Sequence, residues 1–531
     1  MEQITNYITI NTKNLKDIKN TFMSIIQSKV IYNIESNVLL QLKNNILTLA
    51  ATDKNIFIEK RIKVINHNQD NFRICVYAKK FFDIIKEHDA DFINISVQEN
   101  QKIYMFYKGT YIIKKEDKYS RERKINTQHL IIGMNADEYP DSHINRNFKD
   151  YIILNKKELF NIFKKSINTV SKDNFRSPAL KGLYFDFLDN NTLNIVSTDG
   201  RQIAIYKMNY EGRKLNNAVI PSEAIKALLK NISNIDKDID NEDTVKIFIN
   251  DEYIQIIDND YIYTSSLIEA SYPNYKSIIP CTANEKYKDE YKKLYNVILN
   301  NQQMIEIQKA VKSLKKSNKI KSKCLKMKFN KNQLILTIAD YADSDIHNIS
   351  NVIIDNINSN IEHTLNINYD HLLNILSQTI NKDNNNKITL EIYKEPSKPL
   401  KILHNNAVFL IMLMGIDEEY NKQIEEYIKN FIESKEHTKE NTAKETILTR
   451  QQRRFIIRQN KKEHNVTFIK YSRKIIDYNN YNAIELIKYI NSLKMTDDEK
   501  IALFNMKYNN CKKPYTWHIT DTKKIDILKT A

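Results

Sequence analysis

Between Leu180 and Met208 apolar and polar residues alternate in two runs around a polar turn, and a third run follows Ser197-Thr198-Asp199-Gly200-Arg201. A period of two puts Leu183, Phe185 and Phe187 on one face of a strand and Leu193 and Ile195 on one face of the next, predicting an antiparallel meander. Gly200 supplies the turn, because a residue without Cβ takes positive φ at no steric cost. A helical period appears elsewhere. After Asn11, Leu15, Ile18, Phe22 and Ile25 form one apolar stripe of a predicted helix, with Asn11 where an N-cap is wanted.

Both patterns recur. The helix frame returns at Leu154-Asn155-Lys156-Lys157-Glu158-Leu159-Phe160 and at Leu299-Asn300-Asn301-Gln302-Gln303-Met304-Ile305. The strand–turn element Asn191 to Asp199 is matched by Asn45 to Asp53 and, more weakly, by Asn332 to Asp340. A second helix follows each: Ala78 to Ile85, Ser222 to Leu229 and Tyr369 to Leu376. Three landmarks in one order, about 145 residues apart, mark three domains and not the short units of a solenoid. Each reads as helices over antiparallel strands, an α+β domain. The boundaries fall at residues 1–148, 149–283 and 284–417. Residues 418–531 match no repeat. They predict a mostly helical extension: a helix through Tyr420, Ile424, Ile428 and Phe431, a basic run from Arg450 to Lys462, and helices at Ile484–Leu493 and after Thr496.

Composition narrows the function classes. With 531 residues and 41% apolar content the chain buries several cores. A net charge of +16 suits an acidic partner such as nucleic acid. Abundant Lys, Asn, Ile and Tyr together also fit a biased coding sequence, so the position of charge must decide. Four scattered cysteines form no CxxC pair, which points to a reduced, cytoplasmic protein without a zinc site. No apolar run reaches membrane-span length and the start lacks a signal-peptide pattern. Six isolated glycines form no phosphate cradle. Asp236, Asp238 and Asp240 imitate a calcium loop, but Asn241 and Ile247 stand where Gly and Glu are needed. No catalytic, metal-binding or cofactor-binding constellation emerges, so the expectation is a non-enzyme.

Ala78-Lys79-Lys80-Phe81-Phe82-Asp83-Ile84, the Leu180 to Arg201 block, Ser271-Tyr272-Pro273-Asn274-Tyr275 and the closing apolar run Leu410 to Ile416 resemble the bacterial DNA polymerase sliding clamp, the beta subunit of the replicative polymerase. The resemblance covers roughly residues 1 to 416. It implies a head-to-tail homodimer, a ring of six domains around double-stranded DNA with helices lining the hole. It also implies a pocket for short peptide motifs of the replicative polymerase, the clamp loader and repair proteins.

Read from the residues, Lys13 and Lys16 lie opposite the first apolar stripe, Lys157 and Lys164 opposite its copy, and Lys79 and Lys80 beside Phe82. Cations on such faces attract phosphates without reading bases. By the resemblance Lys29 and Lys79 rank first as DNA contacts, while Pro178 and Ala179 replace aromatic contacts of the family. It places the peptide pocket at Leu180, Thr198, Gly200, Arg201, Ile203, Pro273, Ile278, Leu410, Met412 and Met414. Leu413 and Gly415 depart from the family pattern there. An alternative is a clamp-like scaffold that binds partners and DNA without encircling it.

Overall fold

The computed structural model describes most of residues 4–432, outside the segments 27–33, 114–120, 141–148, 233–242, 281–292 and 318–322 and scattered gaps of one or two residues, together with the strands Tyr515–Ile519 and Ile525–Lys529. The chain forms two compact units, Met1–Glu425 and Glu426–Ala531.

The first unit runs one plan three times: strand, helix, three-strand meander, strand, helix, three-strand meander. The helices are α1 (Thr12–Phe22), α2 (Ala78–Glu87), α3 (Lys156–Ser166), α4 (Ser222–Ile232), α5 (Asn301–Ser317) and α6 (Tyr369–Thr379). The Asn side chain before each repeat's first helix caps it. Asn11 accepts from the amide of Lys13, Asn155 from Glu158 and Asn300 from Gln303, each at 2.9 Å. That satisfies a backbone donor that the helix start would otherwise orphan. Leu15, Ile18 and Phe22, then Phe81, Phe82 and Ile85, then Leu159, Phe160 and Phe163 are buried in a core continuous across the three repeats. Phe22 meets Phe82 edge to face at 6.2 Å between centroids.

Sheets join the repeats. The third strand of the first repeat's first meander, Ile56–Lys63, pairs with the last strand of the second repeat, Tyr261–Ser266, inside a ten-stranded antiparallel sheet. The corresponding strand of the second repeat, Gln202–Asn209, pairs in the same way with the last strand of the third, Ala407–Ile411, inside an eight-stranded sheet. The register is the same in both. Phe57 faces Thr264 and Glu59 faces Ile262, as Ile203 faces Leu410 and Ile205 faces Val408. Two strands of this kind are left at sheet edges: Arg121–Ile132 in a five-stranded sheet of the first repeat and Asp345–Ile354 in a four-stranded sheet of the third.

Two sequence expectations change, and one element is new. The α1 stripe ends at Phe22, and Ile25 is buried in the following turn, its amide bonded to the Phe22 carbonyl. The closing apolar run is a strand only to Ile411, since Met412 and Met414 send their amides to Arg201 and Asn366. In the extension the described elements are helical residues 421–432 and an antiparallel hairpin of Tyr515–Ile519 with Ile525–Lys529 that periodicity did not foresee. The Arg450 to Lys462 run, the helices expected near 484–504, the Asp236 to Asp240 run and Lys29 lie outside the described residues.

Candidate functional site

Two surfaces carry the sequence-derived candidates. The first is a file of helices. α1 packs on α2 and on α4, α4 packs on α3, and α5 packs on α6. Asn374 and Gln378 of α6 hydrogen-bond Thr169 in the turn after α3. Lys13, Lys16, Lys79, Lys80, Lys157 and Lys164 all stand on exposed faces of this file. Sequence reasoning missed Lys226 and Lys230 of α4 and Lys309, Lys312 and Lys316 of α5, which are exposed in the same way. The three-and-four spacing away from Met304, Ile307 and Val311 carried that signal. Acidic residues on these faces are fewer: Asp17, Glu87, Glu158, Glu223 and Glu306 are exposed.

Lys156 is the exception. It points inward and pairs at 2.8 Å with Asp258, and both side chains are almost wholly buried. Beside this file the loop before Leu180 carries Phe175, which is entirely exposed and flanked by Lys172 and Arg176. Its amide bonds to the Asp173 carboxylate at 2.9 Å.

The second surface lies where the second and third repeats join. Ile203 and Leu410 are register partners, buried together with Val196, Ile205 and Tyr275 and covered by Tyr184, Tyr272 and Ile279. Gly200 is held at φ +85°, and an added Cβ would lie 2.5 Å from the Arg176 guanidinium and close to the Leu180 side chain. The positive φ favours glycine, although the equivalent turn of the first repeat holds Lys54 at φ +78°. Thr198 is buried, its hydroxyl donating to the Gln202 carbonyl and accepting from the Gly200 amide. Met412 and Ile278 remain exposed, as does Pro273, while Met414 is half-buried. The join thus brings Leu180, Gly200, Arg201, Ile203, Leu410 and Met412 together, a polar turn beside apolar side chains.

A half-buried carboxylate helps fix this junction. The Asp199 carboxylate accepts from the amides of Arg201 and Gln202 and from the Gln202 side chain. His371 of α6 sits 3.5 Å from Asp199. Burial pushes the His371 pKa down, and only partly does Asp199 oppose this, so the ring is neutral at neutral pH. Tyr206 donates to Gln378 at 2.5 Å, and burial pushes its pKa well above the usual phenol range. Next to the groove, Tyr275 donates to Asp186 at 2.6 Å and accepts from Asn194 at 3.1 Å, while Lys276 pairs with Asp186 at 2.8 Å.

Among the described residues no group of three or more His, Cys, Asp or Glu side chains could hold a metal ion. Among them, no helix is long and apolar enough to cross a membrane.

Residues 7–142 match the family model described as DNA polymerase III beta subunit, N-terminal domain, and residues 153–274 the one for its central domain. Among curated proteins, the beta sliding clamp of Buchnera aphidicola subsp. Rhopalosiphum padi is 26% identical over 51% of this chain and 66% of its own. That of Borreliella burgdorferi is 26% identical over 48% and 63%. That of Haemophilus influenzae is 20% identical over 65% and 83%. The chain therefore spans just under two thirds of the first two relatives. Among solved structures, the Bacillus subtilis DNA polymerase sliding clamp superposes with a TM-score of 0.62 at 17% identity, over 78% of this chain and all of that one. The Pseudomonas aeruginosa DNA polymerase III subunit beta gives 0.63 at 16%, over 77% of this chain and all of its own. At these identities the likeness establishes the fold.

Proposed function

Because the chain belongs, through residues 7–142 and 153–274, to the DNA polymerase III beta-subunit family, we propose that it is a DNA sliding clamp, a processivity factor that closes as a ring dimer around duplex DNA. In this reading residues 1–148, 149–283 and 284–417 are its three domains and 418–531 an added extension. The observation that carries the reading is the pair of joins with identical register. The third repeat's free strand, Asp345–Ile354, corresponds to Ile56–Lys63 and Gln202–Asn209; the first repeat's free strand, Arg121–Ile132, corresponds to Tyr261–Ser266 and Ala407–Ile411. Repeating the same join between two chains is a heterologous contact that closes when the rotation per repeat divides the circle. It also removes two edges that would otherwise invite aggregation.

The lysines of the helix file, Lys13, Lys16, Lys79, Lys80, Lys157 and Lys164, then attract the phosphate backbone, and Lys29 is a further contact. Phe175, between two cations, takes over the aromatic contact that Pro178 and Ala179 cannot make. Charge without base-edge contacts holds the ring on any sequence and lets it slide. The groove of Leu180, Thr198, Gly200, Arg201, Ile203, Pro273, Ile278, Leu410, Met412 and Met414 takes short peptide motifs of the replicative polymerase, clamp loader and repair proteins. Its methionines suit several partners because unbranched thioether side chains repack at low cost.

The test is retention. The dimer is expected to stay on nicked circular DNA and to leave when that DNA is cut. A monomer that binds linear and circular DNA alike would instead favour a scaffold that does not encircle DNA.

A further inference from the structure

The first repeat carries an open cavity of about 330 Å³ on the outer face of the ten-stranded sheet, within the range of small ligand pockets. Its floor is made by two rows of cross-strand neighbours, Leu39–Ala50–Glu59 and Gln41–Thr48–Arg61, and its wall by Tyr139 and Pro140. This place exists in the second repeat too. There the matching rows are Tyr184–Val196–Ile205 and Asp186–Asn194–Lys207, and the matching wall is Tyr272-Pro273. Even the wall's anchoring is repeated. Tyr139 donates to the Ala50 carbonyl at 3.0 Å, and Tyr272 to the carbonyl of Val196, the residue equivalent to Ala50, at 3.4 Å.

What differs is the filling. In the second repeat Tyr275, two residues past Pro273, occupies the place and is only 4% exposed. Its hydroxyl donates to Asp186 and accepts from Asn194. Two residues past Pro140 the first repeat has Ser142, outside the described residues, which has no ring to offer. The receiving pair is kept in kind: Gln41 stands for Asp186 as an acceptor, and Thr48 for Asn194 as a donor. The rim has changed as well. Lys43 and Arg61 stand where the second repeat has Leu188 and Lys207, and neither meets a carboxylate among the described residues. Among the described residues, Glu59 is the one acidic side chain of the lining.

We propose that this cavity is a tyrosine socket, vacated within the repeat and open to a partner: it receives a tyrosine side chain of an extended acidic peptide. The ring lies against Leu39, Ala50 and Phe57, and the hydroxyl is shared by Gln41 and Thr48. Carboxylates flanking the tyrosine meet Lys43 and Arg61. The second repeat shows the same kind of position holding a buried tyrosine through one donated and one accepted hydrogen bond, which is what a buried phenol requires. The proposal rests on the repeat and its registers, not on the sliding-clamp reading, and it concerns a different join from the peptide groove.

The probe is a fluorescein-labelled peptide Glu-Asp-Tyr-Leu-Asp-Glu, titrated into the full chain and followed by fluorescence anisotropy. Saturable binding is expected, weaker by about 30-fold when the tyrosine is replaced by phenylalanine, as loss of the hydroxyl's two hydrogen bonds implies, and absent when it is replaced by alanine. Ala50→Phe, which fills the socket, is expected to abolish binding. The pair Gln41→Leu and Thr48→Val is expected to bring the tyrosine peptide down to the phenylalanine level without affecting the latter. Should Ala50→Phe fail to fold, the paired variant carries the same test. Arg61→Glu is expected to weaken binding in a salt-dependent way.

Equal binding of the tyrosine and phenylalanine peptides would overturn the proposal. So would a signal lost in Met412→Lys and kept in Ala50→Phe, which would put the peptide in the second groove. Absence of saturable binding by the full chain would overturn it too, whether the cavity is closed by this chain's own residues or takes no peptide at all.

Discussion

Asp186 shows how much one side chain can gather. It is buried, takes a hydrogen bond from Tyr275 and an ion pair from Lys276, and so ties the segment after Pro273 to the meander beneath it. Burial and the bond to Asp186 push the Tyr275 pKa well above the ordinary phenol value, so this bond does not titrate near neutrality. Tyr275→Phe is expected to cost about 1.5–3 kcal/mol, read as a lower midpoint in urea unfolding, because a hydrogen bond to the charged Asp186 carboxylate is lost while Lys276 still pairs with it. Lys156 is a harsher case. Removing one partner of a buried ion pair leaves the other charge stranded, so Lys156→Met is expected to cost about 3–5 kcal/mol by the same measurement. The two residues differ in legibility. Tyr275 sits in a recognisable Ser-Tyr-Pro-Asn-Tyr stretch, whereas Lys156 follows the cap Asn155 and looks like any helix lysine. Its partner Asp258 belongs to a distant strand, and no periodicity records a contact between separate elements.

Elements were legible where a local rule decides them. The capping asparagines were readable because the capping side chain and the helix it starts are neighbours in sequence. Asn155→Ala is expected to cost about 1 kcal/mol, seen as earlier thermal unfolding. Ends were harder. The apolar stripe continues past Phe22 to Ile25, but a turn can bury an isoleucine as well as a helix can. The apolar run from Val408 to Met414 likewise outlasts its strand, because past Ile411 the ladder gives way to single amide bonds, Met412 to Arg201 and Met414 to Asn366.

The start of the extension has its own chemistry. Glu425, in the first turns of helical residues 421–432, pairs at 2.6 Å with both Lys326 and Lys328, and Asn421 accepts from Lys326. Burial alone would raise the Glu425 pKa, but the two lysines outweigh it and hold the carboxyl below its ordinary 4.5. A depressed folded pKa gives stability that is complete above the ordinary value and lost as pH falls through the folded one. Amide exchange at residues 421–425 is therefore expected to accelerate as pH falls below 4.5 and through the lowered folded pKa. Glu425→Gln is expected to bring that acceleration to neutral pH.

Across the whole first unit, the sequence announced three copies but not how they join. Repeat spacing is a property of one chain read end to end, while strand partners from different repeats are set by packing in space. Leu130 and Ile132 are exposed on the free strand Arg121–Ile132, at 44% and 62%. If that strand meets Asp345–Ile354 of a second chain, Leu130→Glu is expected to give a monomer by analytical ultracentrifugation with an unchanged melting profile, since the side chain touches little within its own chain. If the chain is the proposed ring, Lys79→Glu with Lys80→Glu is expected to leave its dimer intact and to weaken DNA retention, most visibly at low salt.

The two observed joins are ladders of main-chain amides and carbonyls, and those groups are identical in every amino acid. Adhesion written in peptide groups asks little of side chains beyond alternation and volume. Two chains can therefore differ at most residues and still share one fold, as the 17% identity to the Bacillus subtilis clamp over 78% of this chain illustrates. Drift is then freest at positions outside the ladders, and it is there that individual copies become free to specialise.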